Sequence, residues 1–201
     1  MRSILEIPRR PVAEIQAYWE PRAPEWYRHE SAAIYFIDLV KQALSLHLLS
    51  LPPDGRILDV ASGANPFAYF PRELRTRMHA IDVSNTALAL NGITKKSLAD
   101  ARNSFPFRDD SFILVTSIFG MRYFENQKEV ISEMLRVLLS GGRLVIIDFQ
   151  GAVNDAAVST FEAEVLKHNP DLKRNAILQS KRIFPGNPHE SPMDVLTGIK
   201  L

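Results

Sequence analysis

"RILDVASGANPF", residues 56–67, decides how this chain is read. Ile57, Leu58 and Val60 form an apolar run of the length of a buried strand, interrupted only by Asp59. The run passes into Ala61, Ser62, Gly63, Ala64 and Asn65. Small residues at the end of a strand let backbone come close to a ligand, which is how nucleotide-binding turns begin. Glycine stands only at 63; Ala61 and Asn65 fill places where such loops often carry more of it. Ala61 costs one methyl group of clearance, and Asn is the non-glycine residue most tolerant of positive φ. Pro66 disfavours helical φ/ψ in the residue before it, so the helix after the loop is expected to start late.

Working downstream, strands and helices alternate. Strand 1 is read at 56–61, strand 2 at 78–84 ("MHAIDVS"), strand 3 at 96–101, strand 4 at 111–119 ("SFILVTSIF") and strand 5 at 143–149 ("RLVIIDF"). A helix starts after Ser84 or Asn85, either of which suits an N-cap. Residues 126–139 carry apolar side chains at Val130, Ile131, Met134, Leu135, Val137 and Leu138, an amphipathic helix that "SGG" (140–142) is expected to stop. Residues 154–168 read as a further helix. "KRIFP" (181–185) and "MDVLTGIKL" (193–201) flank the turn-rich "GNPHESP" and suggest a closing hairpin. Upstream, 11–50 read as helical, with Pro11 in a first turn, a break at "PRAP" (21–24) and a longer helix from about Glu25 to Ser50 carrying Ile34, Ile37, Val40, Leu44, Leu46 and Leu48.

Five apolar strands separated by helices predict an α/β fold: a Rossmann-like, doubly wound, mostly parallel sheet covered on both faces. The expected organisation is an N-terminal helical lid (1–50), a core (51–201) and a C-terminal antiparallel hairpin, all within one domain.

Composition narrows the classes. The chain has 201 residues, 46% apolar and 23% charged, with 24 basic and 23 acidic side chains and a net charge of +1. That balance gives no footprint for nucleic acid or an anionic membrane. With no cysteine, thiolate metal sites, disulfides and cysteine nucleophiles are excluded. The histidines lack ligand spacing, so no metal site is expected. No apolar stretch approaches a membrane span, and "MRSILEIPRRP" is no signal peptide. The expectation is a soluble, cytoplasmic monomer or homodimer, without nucleic acid partners or membrane insertion.

Ligands of doubly wound sheets gather at the carboxyl ends of the strands. There the sequence places Asp59, Ala61, Ser62 and Gly63 after strand 1, Asp82 and Val83 at strand 2, Asp100 and Ala101 at strand 3, and Ser117 and Ile118 in strand 4. Asp82 lies 23 residues past Asp59, the spacing at which an acidic side chain accepts both hydroxyls of a ribose. Asp100 would then receive the amino group of adenine, and Val83 would pack on its ring. Each aspartate alone is an ordinary cap or turn former; three in register at three strand ends are a pattern.

As an ordered set, "RILDVASGANPF", "HAIDVS", "SLADARNSFPFRDDSF", "VTSIFGMRYF" and "LRVLLSGGRLVIIDF" resemble the motifs of class I S-adenosylmethionine-dependent methyltransferases over roughly 56–150. The later motifs look most like the ubiquinone/menaquinone C-methyltransferases and their small-molecule relatives. The resemblance implies S-adenosyl-L-methionine as cofactor and a small organic acceptor. It sets the backbone at Ala61, Ser62 and Gly63 against the methionyl part, Asp82 on the ribose, Asp100 with Ala101 around adenine, and Ser117–Ile118 beside the methionyl end. Asp59 would orient the loop. "YWEPRAPEWY" resembles the lid of such enzymes. The chain departs from the pattern at Ala61, Asn65, Ile113 and Ser140, none of which is a reacting group.

Methyl transfer needs a base only when the acceptor must lose a proton. Candidates are His29, Tyr27 and Tyr123, with Tyr18 also in the lid; the alternative for His29 is a surface histidine. Trp19, Trp26 and Tyr27 form either an aromatic wall or the face that docks the lid. Arg122 either binds an anionic substrate or is solvated. Without cysteine, cytosine C5 and the known type of arsenic methylation are excluded. "TSIFG" stands in place of the Asp/Asn-Pro-Pro-aromatic signature of nucleic-acid amino methyltransferases. The rivals are a non-catalytic methyltransferase-like module, a protein or RNA methyltransferase, and a nicotinamide enzyme. The last predicts a G-x-G-x-x-G pattern that "ASGANPF" lacks.

Overall fold

A computed structural model describes residues 11–28, 40–45, 47–49, 51–64, 70–149, 151–168 and 193–199. Within them, β1 (Ile57–Val60), β2 (Met78–Asp82), β3 (Lys95–Leu98), β4 (Phe112–Ile118), β5 (Leu138–Phe149) and β6 (Met193–Ile199) form one six-stranded sheet in the order β3-β2-β1-β4-β5-β6. Every neighbouring pair is parallel except β5 and β6, which run antiparallel. This is the Rossmann-like arrangement expected, with an antiparallel pairing at its C-terminal edge. The other expected hairpin segment, 181–185, lies outside the described residues.

The chain lays β1, β2 and β3 toward one edge, then crosses back to put β4 on the other side of β1. Strand order reverses between β1 and β4, and a crevice opens beyond their carboxyl ends. All four residues of β1 are buried, which is why its sequence is nearly unbroken apolar. Side chains alternate between two layers. Ile57 packs with Met78, Leu114 and Val145 under Val40 and Leu44 of the helical residues 40–45 and Leu88 of α3 (Asn85–Leu90). Leu58 and Val60 pack with Val115, Leu144 and Ile146 under α4 (Gln127–Val137) and Ala157 of α5 (Asp155–His168).

Several boundaries differ from the sequence reading, each for a local reason. β2 ends at Asp82 because its carboxylate turns to accept the Ser84 amide at 2.8 Å. Ser84 is the helix cap, its hydroxyl accepting from the Ala87 amide at 3.0 Å. β3 ends at Leu98, and Asp100 instead opens a turn closed by Asn103 N–H. α4 stops at Val137, before "SGG". Leu138 already pairs with Phe112 in the sheet, the next pair is Leu114 with Arg143, and residues 139–142 bulge out between them. Burial of Leu138 in the sheet outweighs its helical propensity.

At the N-terminus, α1 (Val12–Trp19) and α2 (Ala23–Arg28) flank the expected break. Residues 40–45 and 47–48 are helical; the rest of the expected 25–50 helix beyond α2, including Ile34, Ile37 and Leu46, lies outside the described residues. α1 is tied across the strand ends. Gln16 Nε2 donates to the Val83 carbonyl at 3.0 Å, and Glu20 accepts the Asn85 and Thr86 amides at 2.8 and 3.0 Å. Those amides are orphan donors of the first turn of α3, so the Glu20 carboxylate caps a helix 65 residues away in sequence. Ala23 packs against Ala64 and Ala87. No helix among the described residues is long and apolar enough to cross a membrane.

Candidate cofactor site

The turn after β1 is held by a chain of hydrogen bonds. Asp59, buried, accepts the Thr116 hydroxyl of the neighbouring strand and the Ser62 hydroxyl, both at 2.6 Å. Asn91 donates to the Ser62 hydroxyl at 3.0 Å and to the Gly63 carbonyl at 2.9 Å. The Gly63 amide donates to Asp82 Oδ2 at 2.9 Å. Gly63 has φ +63 with open space where a Cβ would stand, so glycine is needed there for backbone conformation. Ala61 also has positive φ, +53, which costs roughly 1 kcal/mol in a residue with a Cβ. Its methyl faces Gly120, where an added Cβ would lie 2.7 Å from Ala61 Cβ and 2.8 Å from Ser117 Oγ. Asn65 and Pro66 lie outside the described residues.

This turn forms one wall of a cavity that offers about 160 Å³ to the centres of water molecules. Of the residues singled out in sequence, Ala61, Ser62, Gly63, Asp82, Val83, Asp100, Ala101 and Ile118 line it. Asp59 and Ser117 do not. They sit behind the wall, Asp59 as the brace just described and Ser117 fully buried with an unpartnered hydroxyl beneath Gly120. Helices α1 and α2 contribute Ile15, Trp19 and Ala23, and the segment after β4 contributes Phe119, Tyr123 and Phe124. Trp19 meets Tyr123 edge to face at 4.8 Å, a favoured aromatic geometry, so these two rings both line the cavity and join α1 to the turn after β4.

Tyr123 is the candidate base that the structure brings to the cavity. Burial pushes its phenol up, with the Arg122 charge only partly opposing; at neutral pH it is a hydrogen-bond donor. His29 lies outside the described residues, as do the side chains of Trp26 and Tyr27. Arg122 takes neither of its two expected roles. Its guanidinium pairs with fully buried Asp148 and lies 3.9 Å from the Phe149 ring centre, while its amide donates to Asp148 Oδ2 at 3.1 Å. Among the described residues no cluster of three or more His, Asp or Glu side chains could hold a metal ion.

Sequence reasoning missed Glu20, Gln16, Asn91, Thr116 and Asp148. Thr116 had a signal: in a parallel pairing it falls opposite Asp59. The others act across distances in sequence that no motif spans.

Asp59 carries a measurable consequence. Burial raises its carboxyl to about 6; the Ser62 and Thr116 hydroxyls pull it down and the Asp82 charge adds to the rise. An unfolded aspartate titrates near ~3.9. Between those values the folded protein binds more protons than the unfolded one, so stability from this group is complete below about pH 4 and lost as pH rises through about 6. Two units correspond to roughly 3 kcal/mol. Asp59→Asn is expected to gain stability relative to the parent by about 2–3 kcal/mol between about pH 4 and pH 7. Denaturant unfolding at the two pH values measures this, and a constant difference between the two proteins would refute it.

The strand order, the crevice at the β1/β4 reversal and an acidic residue at the end of β2 define a nucleotide-binding Rossmann-like enzyme fold. Residues 58–146 match the family described as "Methyltransferase domain". The chain is 30% identical over 152 residues to the ubiquinone/menaquinone biosynthesis C-methyltransferase of Geotalea daltonii, covering 68% of this chain and 63% of that protein. It is 29% identical over 127 residues to a demethylmenaquinone methyltransferase of Mycobacterium bovis, covering 63% of this chain and 54% of that one. The chain thus spans somewhat over half the length of these relatives. In fold it is similar to a methyltransferase of Thermotoga maritima described as a possible histamine N-methyltransferase, with TM-score 0.61 at 15% identity over 92% of this chain and 99% of the other. It is also similar in fold to the [4+2]-cyclase SpnF, with TM-score 0.58 at 21% identity over 71% of this chain and 61% of that one.

Proposed function

We propose that this protein transfers a methyl group from S-adenosylmethionine to a small organic acceptor held under the N-terminal lid, with residues 1–50 as lid and 51–201 as core. The observation that carries this reading is the Asp82 carboxylate at the cavity wall. It accepts the amides of Gly63 and Ser84, and with two lone pairs per oxygen it keeps acceptor capacity for ribose hydroxyls. Val83 and Ala101 would pack around the adenine, and Ile118 with the backbone of Ala61, Ser62 and Gly63 would meet the methionyl part. Asp59 and Ser117 would act from behind that wall.

The bound cofactor would supply a methyl group on a cationic sulfur, open to in-line displacement, so the chain needs no nucleophile of its own. Its residues have two tasks: to hold the acceptor in line, and to keep water out. Ile15, Trp19, Phe119, Tyr123 and Phe124 make the wall apolar, which suits a largely apolar acceptor and strengthens attraction between a cation and an anionic acceptor. The Geotalea relative, a ubiquinone/menaquinone biosynthesis C-methyltransferase by name, agrees with such an acceptor. Calorimetric titration with S-adenosylhomocysteine is the test. One-to-one binding is expected, and its absence would leave the non-catalytic module as the better reading.

A further inference from the structure

Asp100, which lines the same cavity just beyond the neighbouring strand β3, differs from Asp82 in one decisive respect: its acceptors are already taken. Oδ1 accepts the Arg102 amide at 3.0 Å and Arg102 Nε at 3.0 Å. Oδ2 accepts Arg102 Nε at 3.1 Å, Arg102 Nη2 at 2.9 Å and Asn103 Nδ2 at 3.3 Å. A carboxylate offers about four lone-pair sites, and these donors fill them. Arg102 is itself fixed. Its Nη1 faces Glu125 at 3.5 Å, and its carbonyl accepts Asn126 Nδ2 at 3.0 Å. The Asp100 and Arg102 side chains are only 10% and 12% exposed, and both residues line the cavity. Low exposure weakens the competition from water that would loosen such a pair.

We propose that Arg102 is a specificity-determining residue of the base end. It masks Asp100, so the cavity does not read the 6-amino group of a purine through this carboxylate. The inference rests on the reading of the cavity as a site for S-adenosyl ligands. It assigns Arg102 a role that opposes, rather than supports, the one implied for Asp100 by resemblance.

A clean probe is a pair of ligands: S-adenosylhomocysteine and its analogue with an unsubstituted purine in place of adenine. Calorimetry of both with the parent protein and with Arg102→Met gives two affinity ratios. The parent is expected to bind the two ligands within about threefold, since no charged acceptor awaits the amino group. Arg102→Met frees two or more of the Asp100 sites, and its ratio is expected to rise to roughly tenfold or more, the size of one hydrogen bond to a charged group. A merely structural Arg102 would weaken both ligands together and leave the ratio where it was. Arg102→Lys, which keeps the charge but not the fork, is expected to fall between. A parent ratio of tenfold or more, or an Arg102→Met ratio equal to the parent's, overturns the proposal. The parent ratio alone decides it should Arg102→Met fail to fold. If the parent binds neither ligand, the cofactor reading itself falls. If it binds S-adenosylhomocysteine with the wrong ratios, only the role of Arg102 does.

Discussion

Asp82→Ala is expected to lower the affinity for S-adenosylhomocysteine by at least about a hundredfold while the protein remains folded. Two losses combine. The ribose hydroxyls lose a charged acceptor, at roughly 1.5–3 kcal/mol per hydrogen bond. The turn loses its anchor too, because Asp82 joins the amides of Gly63, in the turn after β1, and Ser84, just after β2. The folded state does not depend on this side chain to the same degree. Burial raises its carboxyl above the ordinary aspartate range, the backbone bonds only partly compensating, so its charge is held at a cost that binding would offset. Asp82→Asn, with one acceptor oxygen instead of two, is expected to be intermediate. Calorimetry measures both variants, with circular dichroism to show that they are folded. A loss under tenfold for Asp82→Ala would remove Asp82 as the ribose ligand.

Asp148→Ala is expected to destabilise the protein by about 3–5 kcal/mol, the cost of leaving a buried charge without its partner. Asp148 is fully buried at the end of β5, and Arg122 reaches it from the short turn after β4. Burial raises the Asp148 carboxyl, and the Arg122 guanidinium and the Phe149 and Arg122 amides oppose the rise. Removing both charges is a different matter. Arg122→Met keeps an unbranched side chain against Phe149, and the double variant Arg122→Met/Asp148→Ala is expected to recover about half or more of the loss. Denaturant unfolding of the two single variants and the double variant closes the cycle. Single variants that each cost less than about 1 kcal/mol would mean that the pair is solvated and holds nothing.

The sequence carried the fold in its strands because a sheet buried on both faces demands apolar runs, and β1, β2, β4 and β5 supply them. Asp82 was legible for a related reason: strand length, helix length and the turn between them fix its distance from the loop. Leu138 was not. A leucine after an amphipathic helix suits another turn of helix as well as a strand, and only its partner Phe112 across the sheet decides between them. The partners of the charges were equally hidden. Arg122 finds Asp148 26 residues on, Glu20 finds α3, and the closure of Asp100 by Arg102 depends on which way a two-residue turn directs the guanidinium. Short-range pattern reports the period of burial, whereas a polar side chain's partner depends on the finished fold.

The methyl of Ala61 and the bare Cα of Gly120 share one small volume, and this gives sequence change in the loop a direction. Ala61→Gly removes atoms and is open at any time. The reverse traffic at position 120 is closed: a new side chain there would overlap the Ala61 methyl at 2.7 Å and the Ser117 hydroxyl at 2.8 Å. A lineage must therefore empty position 61 and shift or replace Ser117 before position 120 can be filled. The same substitution at 120 is thus forbidden on one background and admissible on another. Grafting single residues from a relative into this loop would fail in one order and succeed in the other.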